Sequence, residues 1–149
     1  MRILFVCTGN TCRSPMAEAM LKEIAEERNL KLQVKSAGIF APNGQEASRH
    51  AVEVIGNEDI LNHKSKVLTE ELMDWAELVL VMTKSHLKMV EDMYPDKSYK
   101  THLLLDFAEY EDKDVADPYG GSLKDYKRVK VQLEDAIFAL LDKIYEEEI

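Results

Sequence analysis

The chain has 149 residues, a length that suits one domain spanning 1–149, and its 46% hydrophobic and 32% charged composition with 6 Gly and 4 Pro excludes collagen-like, mucin-like and broadly disordered chains. Acidic side chains number 28 against 19 basic ones, a net charge of −9, so no nucleic-acid partner is expected and any phosphate site must be local. The longest apolar stretches, such as Ile3–Cys7 and Leu78–Met82, fall far short of the roughly 20 residues that span a bilayer, and the expectation is a cytoplasmic protein with no membrane partner.

Arg2–Cys7 is a short apolar run of strand-favouring residues, and Thr8-Gly9-Asn10 breaks it before Ser14-Pro15. Ser14 suits an N-cap and Pro15 a first helical position, with Ala17, Met20, Leu21 and Ile24 at helical spacing through about Asn29. Leu32–Ser36 reads as a second strand, followed by a loop through Gly44 and a helix over about Ser48–Ile55. Thr69-Glu70-Glu71-Leu72 resembles a helix start, Leu78–Met82 is a third strand, and Thr83 or Ser85 caps a helix running to about Tyr94. His102–Leu105 is a fourth strand, the acidic stretch Glu109–Asp117 a surface loop, and Leu123–Tyr145 a long amphipathic helix. Strands alternating with helices predict an α/β fold: a four-stranded, parallel, doubly wound sheet with helices on both faces.

The densest chemical signal is Cys7-Thr8-Gly9-Asn10-Thr11-Cys12-Arg13-Ser14-Pro15, where the first strand gives way to the first helix. Open α/β sheets bind ligands at such strand ends. Five residues separate Cys7 from Arg13, enough backbone to curl around a tetrahedral oxyanion with several N–H groups inward and the helix dipole behind them. Gly9 and Asn10 suit positions of positive φ. The same N–H groups and the Arg13 guanidinium favour thiolate over thiol at Cys7, and the planar fork of Arg13 can grip two phosphoryl oxygens. Cys-x5-Arg alone is also compatible with an inert buried cysteine and a surface arginine. The Gly-x4-Gly-Lys-Ser/Thr spacing of a nucleotide-binding loop is absent. With two cysteines in the chain, neither a disulfide framework nor a closed zinc site is in view.

These residues, together with Asp117-Pro118-Tyr119, closely resemble the low-molecular-weight protein tyrosine phosphatase family, whose hallmarks are Cys-x5-Arg-Ser/Thr near one end and Asp-Pro-aromatic near the other. Ser36-Ala37-Gly38 stands where that family's second strand commonly ends, and the resemblance covers essentially the whole chain. It implies a two-step reaction without metal or cofactor: Cys7 attacks phosphorus, Arg13 binds the phosphoryl group, and Asp117 protonates the leaving atom and then helps activate water. The partners implied are phosphorylated proteins, with inorganic phosphate as product.

By the same resemblance, residues Thr8 to Cys12 cradle the phosphate, Asn10 braces the loop, and Ser14 donates its hydroxyl to the Cys7 sulfur, in competition with its plain reading as an N-cap. Tyr119 and Phe40 are candidate pocket walls, Ser36 and His63 candidate supports for Asn10. Asp112 and Asp114 read as solvated charges. Thr11 departs from the aliphatic residue common in tyrosine phosphatases of the family and matches its bacterial protein-arginine phosphatase branch. A pocket hydroxyl there suits a guanidinium and its attacking water, so phosphoarginine is the expected substrate and phosphotyrosine the alternative. Arsenate reductases of the same fold need further redox cysteines beyond Cys12, which this chain lacks, and a pure binding module needs neither nucleophile nor acid. Cys12, five positions after Cys7, is expected to resolve an oxidised Cys7 as a disulfide.

Overall fold

The computed structural model describes residues 1–145. Four strands, β1 (Arg2–Cys7), β2 (Gln33–Gly38), β3 (Leu78–Val81) and β4 (Thr101–Leu103), form one sheet in the order β2-β1-β3-β4. All three pairings are parallel. β1 is central because it is apolar at every position that must be buried on two sides: Ile3, Leu4, Phe5 and Val6 are each 0% exposed. Withdrawing such side chains from water stabilises by about 1.5–3 kcal/mol apiece.

The two-residue period of a strand sends β1 into two cores. Ile3, Phe5 and Cys7 join the core under α1 (Arg13–Glu27), α2 (Arg49–Ile55) and the long α6 (Leu123–Tyr145). Leu4 and Val6 join the core that takes in Met73 of α4 (Glu70–Trp75) and Val90 of α5 (Lys84–Met93). Helices therefore cover both faces, as the alternation predicts. A four-residue helix, α3 (Glu58–Leu61), was not foreseen; Gly56 breaks the chain before it in the left-handed region, φ 68°, and Asn57 caps it.

Helix starts follow their caps. Ser48, Thr69 and Thr83 each accept a hydrogen bond from the backbone N–H three residues on, and Thr83 rather than Ser85 caps α5. Two expectations are corrected. Helix α1 begins at Arg13, with Cys12 before it and no side-chain cap, so Ser14 lies inside the first turn with other work. The fourth strand ends at Leu103, because Leu104 and Leu105 turn into a 3-10 segment that buries both in the core beneath α6; an apolar run looks the same in either conformation. Among the described residues, no helix is long and apolar enough to cross a membrane.

Candidate active site

The loop between β1 and α1 curls over the Cys7 sulfur. The Asn10 backbone N–H donates to Sγ at 3.3 Å, and Ser14 Oγ lies 2.8 Å from the same atom. Asn10 takes the left-handed backbone expected of it, φ 56°, whereas Gly9 has no positive φ and a Cβ there would meet only Thr11 Oγ1 at 3.8 Å. The glycine the loop does require is Gly38: any Cβ at this end of β2 would collide with Thr8 O and Asn10 N. The pairing of Cys7 with Gly38 and Phe5 with Ser36 sets β2 against the loop.

That register supplies a buried hydrogen-bond chain. Asn10 Nδ2 donates to Ser14 Oγ at 2.8 Å and to Ser36 Oγ at 2.9 Å, while Asn10 Oδ1 accepts from Lys66 N at 3.0 Å. With its oxygen accepting from Asn10, the Ser14 hydroxyl hydrogen is directed to the Cys7 sulfur. Ser36 Oγ passes its own hydrogen to Glu18 Oε1 at 2.5 Å, and Glu18 also accepts from Lys22 at 2.6 Å. His63 Nε2 lies 2.7 Å from the Asn10 carbonyl; a carbonyl only accepts, so Nε2 carries the proton. Burial holds the His63 ring below its ordinary value, against the Asn10 carbonyl and Glu18, which favour its charge. Nothing local in the sequence marks Glu18 for this work, because its partner Ser36 lies 18 positions away on β2.

The Cys7 thiol is pushed above its ordinary value by burial, against the Ser14 hydroxyl, the backbone N–H groups of Ser14 and Asn10, and the Arg13 guanidinium. This differs from the depressed thiol anticipated, and the reason is dehydration: the residue is 3% exposed, where lost hydration outweighs the donors.

Arg13 is buried, 6% exposed. Its Nη1 donates to Val115 O at 3.1 Å, and Nη2 stands 3.8 Å from Asp117 Oδ2. The loop carrying Asp117 is tied down elsewhere too: Val115 N donates to Met82 O at 2.9 Å, and Asp114 Oδ1 accepts from Lys84 N at 2.7 Å. Asp114 is thus a tether at the start of α5 rather than a solvated charge. Asp117 Oδ1 accepts from Tyr119 N at 3.1 Å, and its side chain is 61% exposed at the mouth.

A cavity of about 320 Å³ opens over this loop, lined by Cys7 through Arg13 and by Pro42, Gln45, Asp117 and Tyr119. Tyr119 forms a wall. Phe40 is not in the lining: its amide donates to Thr8 O at 3.0 Å, its residue is 69% exposed, and Pro42 and Gln45 occupy that side instead. Thr11 lines the cavity, and its carbonyl accepts from Ser48 N at 2.8 Å. Cys7 and Cys12 are both free and buried. Cys12 Sγ donates to Ser48 Oγ at 3.6 Å and lies 3.3 Å from Tyr126 Oη. Burial and the Cys12 sulfur push the Tyr126 hydroxyl up to about 12. Among the described residues, no group of His, Cys, Asp and Glu side chains is placed to hold a metal ion.

The family model described as low molecular weight phosphotyrosine protein phosphatase matches residues 2–149. A Bacillus subtilis (strain 168) protein-arginine-phosphatase is 47% identical, over 97% of both chains. Two solved structures at 44% identity superpose closely. One, of the arginine phosphatase YwlE as a cysteine-to-serine mutant with a phosphorylated active-site serine, has a TM-score of 0.91 and covers 98% of this chain and 97% of that one. The other, a low molecular weight protein tyrosine phosphatase from T. tengcongensis, has a TM-score of 0.90 and covers 96% of this chain and 99% of that one. Matched by that family model over residues 2–149 and by a relative 47% identical along nearly the whole of both chains, the chain belongs to the low molecular weight phosphotyrosine protein phosphatase family.

Proposed function

We propose that this chain removes phosphate from arginine side chains of proteins, acting as a single cytoplasmic domain through a cysteinyl-phosphate. The observation that carries the chemistry is the Cys7 sulfur held between Ser14 Oγ at 2.8 Å and Asn10 N–H at 3.3 Å beneath the mouth at which Asp117 stands. In the first step the Cys7 thiolate attacks phosphorus, an S–P bond forms as the N–P bond breaks, and the Asp117 proton passes to the leaving guanidino nitrogen. In the second, water attacks phosphorus, returns a proton to Asp117, and releases inorganic phosphate and the thiolate. The backbone N–H groups of Thr8 to Cys12 and the Arg13 fork bind the phosphoryl oxygens as charge accumulates on them. Ser14, whose hydroxyl is aimed at sulfur by Asn10, stabilises Cys7 as attacking and leaving group. Ser36 and His63 hold Asn10, Glu18 holds Ser36, and Tyr119 forms a wall. The phosphorylated serine in the mutant YwlE structure supports a cysteine nucleophile.

Arginine as the substrate rests on the 47% identity to a protein-arginine-phosphatase and on Thr11, a residue of the cavity lining whose hydroxyl suits guanidinium N–H groups and water. Asp117, at the mouth, pairs with the same N–H groups. Phosphotyrosine is the second reading, favoured by the 44% identical structure from T. tengcongensis named a tyrosine phosphatase. The deciding experiment compares kcat/KM on otherwise identical phosphoarginine and phosphotyrosine peptides. Preference for phosphoarginine supports the first reading, and preference for phosphotyrosine overturns it.

A further inference from the structure

His86 belongs to none of the groups that ring the Cys7 sulfur, yet it reaches the phosphate loop. It stands in the first turn of α5, where its own N–H donates to the Thr83 cap at 3.1 Å, and it is 5% exposed. Its Nε2 lies 2.7 Å from Thr8 Oγ1, whereas its buried Nδ1 has no hydrogen-bond partner among the described residues. That asymmetry decides the tautomer. An orphaned buried N–H is rarer and costlier than an orphaned lone pair, so a neutral ring carries its proton on Nε2 and donates it to Thr8 Oγ1. Burial and the Arg13 charge hold the ring down to about 4, against Asp114 and Asp117, which keeps it neutral in ordinary buffers.

The consequence lies on Thr8, an exposed residue that lines the cavity beside Cys7. An oxygen that accepts from His86 leaves its hydroxyl hydrogen to be donated elsewhere. We propose that His86 is a positioning residue that turns the Thr8 side chain into an additional hydrogen-bond donor for the phosphoryl group, beyond the backbone N–H groups of the loop. This rests on the phosphatase reading above. The same turn of α5 holds the loop of Asp117 through the Lys84 N–H to Asp114 bond, 2.7 Å, so one helix end braces both sides of the cavity.

The experiment measures the Kd of inorganic phosphate by titration calorimetry, and kcat and KM on p-nitrophenyl phosphate, for Thr8→Val, His86→Ala, the double variant and His86→Gln. A hydrogen bond to a charged group is worth about tenfold or more in binding, so Thr8→Val and His86→Ala should each raise phosphate Kd and KM about tenfold with kcat within about threefold. The double variant should be no worse than either single one, and His86→Gln, whose amide N–H reaches the same oxygen, should recover most of the loss. A purely structural role would instead lower the active fraction, and with it kcat, at constant Kd and KM. Long-range 1H–15N spectra should show the Nε2–H ring form. The proposal is overturned by an unchanged phosphate Kd in Thr8→Val, which is nearly isosteric and keeps the fold, by multiplicative losses in the double variant, or by an Nδ1–H ring. Wild type that binds phosphate but turns over no phosphoester would instead defeat the phosphatase reading, since calorimetry needs no turnover.

Discussion

Asn10→Ala isolates what the buried hydrogen-bond chain contributes. Asn10 is 0% exposed and holds three partners: Ser14 Oγ, Ser36 Oγ and Lys66 N. The Lys66 N–H, left without its acceptor, costs about 1–3 kcal/mol, and each hydroxyl deprived of its donor about 1 kcal/mol. Alanine must also hold φ at 56°, at about 1–2 kcal/mol. The total of about 4–7 kcal/mol is a large share of the 5–15 kcal/mol typical of a whole domain. At roughly 2–4 °C per kcal/mol for a chain of this size, Tm should fall by about 8–28 °C. Activity should fall further than stability accounts for, because the Ser14 hydroxyl is then free to turn from the Cys7 sulfur. Urea and thermal unfolding give the first quantity, and kcat on p-nitrophenyl phosphate at a temperature where the variant is folded gives the second. Asn10→Gly removes the φ cost but not the lost bonds, so it should lie between Asn10→Ala and wild type. A loss below about 1.5 kcal/mol in Asn10→Ala, or wild-type stability in Asn10→Gly, would refute the reasoning, since one neutral hydrogen bond accounts for that much.

Asp117→Asn should lower kcat by about 100-fold or more on poor leaving groups and much less on p-nitrophenyl phosphate, whose phenolate leaves with little protonation; equal losses on both would argue against an acid role. Thr11→Ile should move the phosphoarginine-to-phosphotyrosine ratio of kcat/KM toward phosphotyrosine by about 10–100-fold, by removing a hydroxyl and adding bulk, and an unchanged ratio would count against Thr11 as the determinant. Hydrogen peroxide oxidises the Cys7 thiolate to a sulfenic acid, and the Cys12 thiolate then displaces its oxygen as water to form a disulfide. Peroxide-treated wild type should recover with dithiothreitol and Cys12→Ser should not; equal recovery, or no Cys7–Cys12 linkage by mass spectrometry, would end that idea. His86 is held down to about 4 in the folded protein, below its unfolded value of about 6.5. Its contribution to stability is therefore full above about pH 6.5 and lost as pH falls toward 4, on the order of 3 kcal/mol. His86→Gln should flatten the stability–pH curve in that window, and a curve parallel to wild type would contradict it.

Much of this protein was legible one stretch at a time. β1 announces itself as a central strand because Ile3 to Val6 are all apolar, and Ser48, Thr69 and Thr83 announce helix starts because a capping side chain acts on a backbone N–H only three residues away. Cys7, Arg13 and the strand–loop–helix between and around them are equally local, and so is the Asp-Pro-Tyr turn in which Asp117 accepts from Tyr119 N. Such signals involve neighbours in sequence, so the residues carry them wherever the chain goes.

What tertiary structure decided is everything that spans distant segments. Ser14 reads as a cap until the loop folds back and sets it 2.8 Å from the Cys7 sulfur. Glu18 has no evident work until β2 pairs in register with β1 and brings Ser36 to it. Arg13 meets Val115 from 102 positions away, Cys12 meets Tyr126 from 114, and Thr8 meets His86 from 78. The thiol itself shows the same division. Its donors are adjacent in sequence and argue for a depressed value, but the burial that raises it comes from helices and loops packed around the end of β1. Local chemistry chooses which groups can act on one another; only packing sets how much water remains to compete with them.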